Sequence, residues 1–455
     1  MLFLRHMQLV RRAVGILVFI VLGLGSLASA SATLFLEEPY GGMGFFTATG
    51  HAAVYLSKVC ADNPLVLRRC RPGETGVVIS RYDRVGGYDW LAIPLIPYLY
   101  AVERPEDVPL FANAKMAHFL RDRYRRKYLE AFVPDVRDGE TPGGNWYQLV
   151  GSSYDRAIYG FEIETTPEQD DALIRELNSS PNKSHFNLAS NNCADFAKYI
   201  LNSYYPKSVH RSLVADLGVT TPKQAAKLLT KYSAHHPELQ FSRFVIAQVP
   251  GSMPRSTNVH GVVESFFKAK KYIVPSVAIS PIFAGCVAAV YVSTGAGHFE
   301  PRRNAMVFSL SGNPERPLGA EDRRAYEHEL KHFMASMYPD QPGRRADKVW
   351  AKLESKAKTG VDEDGRPVLE LRVGGDKVQV GVAANNLLGS DAPPEMMRQL
   401  IEARLQAELR HPTTGISEKD LARDWALLQR TMAQRETSSV TRVATGSDSV
   451  LRNRP

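Results

Sequence analysis

An α+β fold is the class this sequence predicts, on three observations. Short apolar runs with strand character recur between residues 52 and 164, separated by turn residues. Two later segments carry helix-start chemistry, Thr165-Thr166-Pro167-Glu168-Gln169 and Asn191-Asn192-Cys193-Ala194-Asp195. The 455 residues are 44% hydrophobic and 23% charged, ordinary for globular protein and enough for two or three domains.

The N-terminus comes first. Arg5, His6, Arg11 and Arg12 precede an uncharged run from Ala13 to Leu27. Two overlapping small-residue sites follow, Ala28-Ser29-Ala30 and Ala30-Ser31-Ala32. This is the layout of a secretory signal peptide over 1–32, with an uncleaved anchor helix as the other reading. Either sends the following chain out of the cytoplasm, to a periplasmic or other extracytoplasmic place. No cysteine stands at the cleavage site, which argues against a lipoprotein.

Residues 33–270 form the main predicted domain. Strands are expected at Ala52–Cys60, Val66–Cys70, Gly76–Tyr82, Trp146–Val150 and Ile158–Glu164. Cys60 and Cys70 flank a polar turn, so in an oxidising compartment a hairpin-spanning disulfide is expected, with two free thiols as the alternative. The stretch from Trp90 to Tyr100 holds two prolines, against a regular helix, and is too short to span a bilayer. It reads as a buried loop, or as an apolar wall for an acyl chain with Trp90 as a binding residue. Ala117–Phe132 reads as a helix dense in Arg and Lys, either a solvated face or a membrane-surface contact. Proline at the first helical position and early acids then start a helix over Asp170–Asn178. A second helix runs from Cys193 to Tyr204, stopped by Pro206.

From Tyr272 to Gly297 there is no charged residue, so 272–297 reads either as a membrane span or as a buried apolar segment. Residues 300–435 predict a smaller α+β region. It holds a helix at Glu321–Met337, a hairpin of Val368–Val373 with Lys377–Val382, and helices at Pro394–Leu409 and Glu418–Arg435. The Ser-, Thr- and Arg-rich tail, 436–455, predicts disorder. The net charge of +8 is scattered and no nucleic-acid motif is present, so an anionic lipid or wall surface fits as a partner and nucleic acid is not expected.

The chemistry concentrates on two residues. Cys193 follows a good N-cap, Asn192, and would lie in the first turn of its helix, where positive partial charge favours a thiolate. His51 opens the strand His51-Ala52-Ala53-Val54-Tyr55. Alone, each also fits a structural role: cysteine suits the apolar face of the helix, and a strand-end histidine can be a polar cap.

Together, His-Ala-Ala-Val-Tyr on a strand and a later Asn-Cys opening a helix resemble the circularly permuted papain-like families. These include NlpC-type peptidoglycan peptidases and lecithin-retinol acyltransferase-like proteins. The approach to the cysteine, from Tyr154 through Gln169, also resembles periplasmic lipoprotein N-acyltransferase-type domains of bacteria. The resemblance covers about residues 40–205. It implies an antiparallel sheet packed on the cysteine helix, Cys193 as nucleophile and His51 as general base. Tyr55, on the same strand face, would be the tyrosine common there. A third polar residue usually orients the imidazole. If Cys60 faces Cys70, the nearest polar candidates are Ser80 and Tyr82, neither of the usual His, Asn or Asp type.

The expected activity is thiol-dependent acyl transfer without metal or cofactor: amide hydrolysis on a cell-envelope peptide or lipid substrate, or transfer of a lipid acyl group to an amine. Two other classes stand beside it. One is a non-catalytic envelope binding module, favoured by the unusual third residue. The other is a zinc peptidase through His328-Glu329-Leu330-Lys331-His332, whose spacing puts both histidines on one helix face. Charged Glu327 and Lys331 around that motif argue for a solvated helix.

Overall fold

The computed structural model describes residues 30–40, 49–83, 85–137, 139–142, 145–214, 216–268, 270–293, 298–310, 312–337, 355–373, 376–383, 401, 416–426 and 428–429. The bulk of the predicted signal peptide, the helix at Pro394–Leu409 and the tail at 436–455 lie outside the described residues, Ile401 apart.

The protein is mixed α+β, built on one seven-stranded sheet in the order β6-β5-β2-β1-β7-β8-β9. Its strands are β1 (Ala30–Glu37), β2 (His51–Leu56), β5 (Val77–Arg81), β6 (Trp90–Pro94), β7 (Ile158–Thr165), β8 (Ser242–Ile246) and β9 (Met306–Val307). All neighbours are antiparallel except β8 and β9. A two-stranded ribbon, β3 (Val59–Asn63) with β4 (Val66–Arg69), continues the hairpin after β2, and the Cys60–Cys70 disulfide clamps it.

β1 lies where the signal peptide was expected to end. Every residue of β1 is buried, because helices and loops cover both faces of this central strand. Its first residues, Ala30-Ser31-Ala32, are also the small-residue site that ends the leader pattern, which is why the strand merges with the leader in the sequence. Ser31 is already committed to the fold, since its Oγ donates to Ser57 Oγ at 3.0 Å.

Alternation along β1 and β2 sorts the core into two layers. Leu34, Leu36, Ala52, Val54 and Leu56 pack with α4 (Pro167–Ser179), α5 (Cys193–Tyr204) and α6 (Pro222–Ser233), through Leu173, Phe196, Ile200 and Leu229. Phe35, Ala53, Val78 and Leu91 face the other way. They meet α1 (Leu95–Tyr100), α2 (Ala114–Tyr124) and the short α3 (Ser152–Asp155), through Tyr98, Leu120 and Tyr154.

The expected C-terminal region shares this core. β9 joins the main sheet, and Leu369, Leu371 and Val380 of the hairpin β11 (Pro367–Val373) and β12 (Asp376–Gly381) pack with Tyr98 and Leu120. β10 (Lys358–Val361) completes their small sheet, and α10 (Ala320–Met337) matches the predicted helix.

Several expectations are corrected. Residues 145–148 form a 3-10 turn, not a strand. Leu95–Tyr100 is a helix despite Pro97, which sits in the first turn, where its missing N–H costs nothing. The basic stretch after Ala117 is split, with Arg126 and Lys127 exposed and Arg121 and Arg125 turned inward. Arg125 is fully buried and binds Asp122, Asp135 and the Val133 carbonyl, and Arg121 binds Asp155.

The described part of the segment 272–297, residues 272–293, is not one continuous helix and is mostly not buried. It breaks into α8 (Lys270–Ile279), which follows α7 (Val262–Lys268), and α9 (Pro281–Ser293). Proline at 281 disfavours helix at Ser280, so the chain turns there. Among the described residues no helix is long and apolar enough to cross a membrane, and Ile279 and Ile282 are 84% and 82% exposed.

Candidate active site

His51 is held at the sheet rim by the turn before it. Gly50 has φ +70°, and a Cβ there would lie 2.1 Å from the Glu37 carbonyl oxygen, so only glycine lets the chain enter β2 at this point. His51 then pairs with Glu37 across β1. The β2/β5 register, continued from Val54↔Ile79, sets Tyr82 opposite His51. The two rings stack at 5.3 Å.

Ser80 fixes the imidazole. Its Oγ lies 2.7 Å from the Ala52 carbonyl oxygen and 3.0 Å from His51 Nε2. A carbonyl only accepts, so the single hydroxyl proton goes to Ala52. Ser80 must therefore accept from Nε2–H, which leaves the lone pair on Nδ1. A serine thus does the tautomer selection usually done by a carboxamide or carboxylate.

Cys193 opens α5, whose first turn is closed by a reciprocal capping box. Asn192 Oδ1 accepts from the N–H groups of Ala194 and Asp195 at 2.8 and 3.0 Å, and its Nδ2 donates to the carbonyls of Leu188 and Thr220. Asp195 in turn receives Thr220, Lys198 and Arg211. The Cys193 N–H makes no hydrogen bond among the described residues, so it is the donor left for a ligand oxygen.

The two residues meet in one cleft, with about 160 Å³ of space, beside Tyr82, Gln148, Phe186, Leu188, Asn192 and Thr220. They reach it from different layers. His51, Ser80 and Tyr82 belong to the face of Ala53, whereas α5 packs on the face of Ala52. Each is the first residue of its element, and both line the cleft at that end of the sheet. No hydrogen bond joins the Cys193 sulfur to the imidazole; the backbone N–H groups of Ala52 and Ala194 face the thiol instead.

Electrostatics make the resting pair neutral. Burial lowers the His51 pKa to about 4, partly opposed by Glu37. Burial pushes the Cys193 thiol up to about 11, against the pull of the Ala52 and Ala194 N–H groups. The expectation that the helix start favours a thiolate is corrected: desolvation outweighs the partial charge of one helix terminus.

Beneath the imidazole lies a polar cluster that sequence reasoning missed. Glu37, wholly buried, accepts from Tyr98 OH and from Ser152 Oγ at 3.0 Å, and it forms an ion pair with Arg156 Nη1 at 3.2 Å. Arg81 was also missed. It grips Asp89 with two 2.7 Å bonds and reaches Asn191, tying β5 to the loop before Cys193. The only sequence cue for either was an ionic residue amid strand-like runs.

Trp90 and Tyr55 stand elsewhere. Trp90 is 3% exposed in the core and does not line the cleft. The rest of the apolar stretch 91–100 is likewise packed inward, Pro94 apart, so it offers no open wall. Tyr55 shares the face of His51 but lies ~13 Å further along β2 and stacks on Phe35. His328 and His332 lie on an exposed face of α10 and join no group of three metal-ligating side chains among the described residues.

No protein-family model, curated protein or solved structure matches this chain.

Proposed function

We propose that this protein is an exported, thiol-dependent acyl-transfer enzyme that hydrolyses an amide in a cell-envelope substrate, on a permuted papain-like arrangement of sheet and cysteine helix. The observation that carries this reading is the tautomer that Ser80 selects in a cleft shared with Cys193: an imidazole with a bare Nδ1 is a general base.

In the reaction, substrate entry brings the thiol and Nδ1 together. His51 takes the thiol proton as sulfur attacks the carbonyl carbon. The oxyanion is held by the Cys193 N–H, with the Gln148 amide lining the same cleft. The imidazolium returns the proton to the leaving amine, and water then releases the acyl group by the same base. A neutral resting pair suits a site that activates its thiol only when substrate is bound. Transfer to an amine instead of water is the second reading, supported by the apolar surface of α8 and α9, which suits an acyl-bearing acceptor.

The test is labelling by a thiol-reactive acyl probe on the folded full chain. Labelling at Cys193 should vanish in Cys193→Ala and fall at least tenfold in His51→Ala. Labelling indifferent to His51 would reduce the protein to a binding module with an incidental thiol.

A further inference from the structure

We propose that α8 and α9 form a helical hairpin whose tip, Ile279 to Phe283, dips into one leaflet of an anionic bilayer and returns. The chain reverses at Ser280, so that α9 packs back on α8 and on α7. The end of the hairpin carries Ile279 and Ile282, the two most exposed large apolar side chains among the described residues, with Phe283 53% exposed beside them. Val274, Val277 and Val292 extend the apolar surface along both arms.

Length sets the depth. Helices of 10 and 13 residues rise about 15 and 20 Å, half or somewhat more of a ~30 Å hydrocarbon core. The element therefore reaches the middle of the bilayer and cannot exit the far side. Its tip is also chemically fit for hydrocarbon. Pro281 has no N–H to leave unpaired, Phe283 N–H donates to Ser280 Oγ at 3.4 Å, and Ala284 N–H to the Ser280 carbonyl at 3.1 Å.

Charge completes the match. No charged residue occurs from Tyr272 to Gly297, while Lys268, Lys270 and Lys271 stand at the opposite end of the hairpin from the tip. That order, apolar tip then cations, is the order of acyl chains and anionic headgroups. The overall charge of +8 favours the same surface.

The probe is vesicles of phosphatidylethanolamine and phosphatidylglycerol. The full chain, carrying Cys193→Ala, is labelled at Cys286 on α9 with an environment-sensitive fluorophore. Vesicles should shift its emission to the blue, and lipids brominated deep in the acyl chain should quench it more than headgroup quenchers. Ile279→Asp and Ile282→Asp together should weaken vesicle binding at least tenfold with unchanged melting temperature. Lys270→Gln with Lys271→Gln should weaken it only at low salt. Absence of binding at millimolar lipid would overturn the proposal, as would binding wholly abolished by salt and indifferent to the tip. So would headgroup-depth quenching, or a lipid-free dimer that the aspartates dissociate, which would make the hairpin a contact between two copies.

Discussion

Alkylation of Cys193 should behave as that of a suppressed thiol, and the size of the suppression follows from its surroundings. Burial lifts its pKa from an ordinary 9.0 to about 11. Two pKa units mean a ~100-fold smaller thiolate fraction at any pH below 9. At pH 7 only about one Cys193 in ten thousand would be ionised. Iodoacetamide attacks the thiolate, so its rate at Cys193 should climb about tenfold per pH unit from 7 to 10 with no plateau. Peptide mapping by mass spectrometry reads this site apart from Cys286, which is exposed and reports that the reagent is active. His51→Ala should leave the position of the curve unchanged, because an imidazole with pKa about 4 carries no charge in that range. A rate plateau below pH 8 that disappears in His51→Ala would refute the neutral pair. It would show a resting thiolate–imidazolium pair instead.

Three other outcomes follow from the same geometry. Ser80→Ala removes the acceptor for Nε2–H and the donor to Ala52, so acyl-probe labelling should fall about tenfold while urea melts lose about 1–3 kcal/mol; labelling at the unaltered rate would remove Ser80 from the site. The depressed His51 pKa makes the folded state bind fewer protons than the unfolded one between pH 6.5 and 4, so this contribution is complete above 6.5 and is lost as pH falls. It amounts to about 3 kcal/mol by pH 4, and His51→Ala should flatten that limb in denaturant melts taken across the range. Gly50→Ala forces a Cβ against the Glu37 carbonyl at positive φ and should cost about 1–3 kcal/mol in urea melts, with reduced labelling of Cys193; a fully stable variant would contradict the close approach.

Much of the architecture was legible because its signals are local. Thr166 with Gln169 and Asn192 with Asp195 form capping boxes within four residues, so both helix starts could be read directly. The C-terminal hairpin and the cysteine-clamped ribbon were readable from turns and spacing. β1 was not, because its first residues double as the small-residue end of the leader pattern. Buried Arg125 was not either, since charge in a sequence gives no sign of which partners will enclose it.

The sequence by itself determined where α4 and α5 begin and that a histidine and a cysteine stand at the starts of their elements, and it led one to expect the Cys60–Cys70 bridge that the structure shows. Tertiary structure alone decided what those two groups are. The two layers of the sheet bring them to one cleft, Ser80 selects the base nitrogen, and burial holds thiol and imidazole neutral. It also decided that Ser152 and Glu37, 115 residues apart, share one buried cluster. The physical reason is range. Caps and turns are satisfied by neighbours in the chain, whereas desolvation and long-range pairing depend on every element packed around the group.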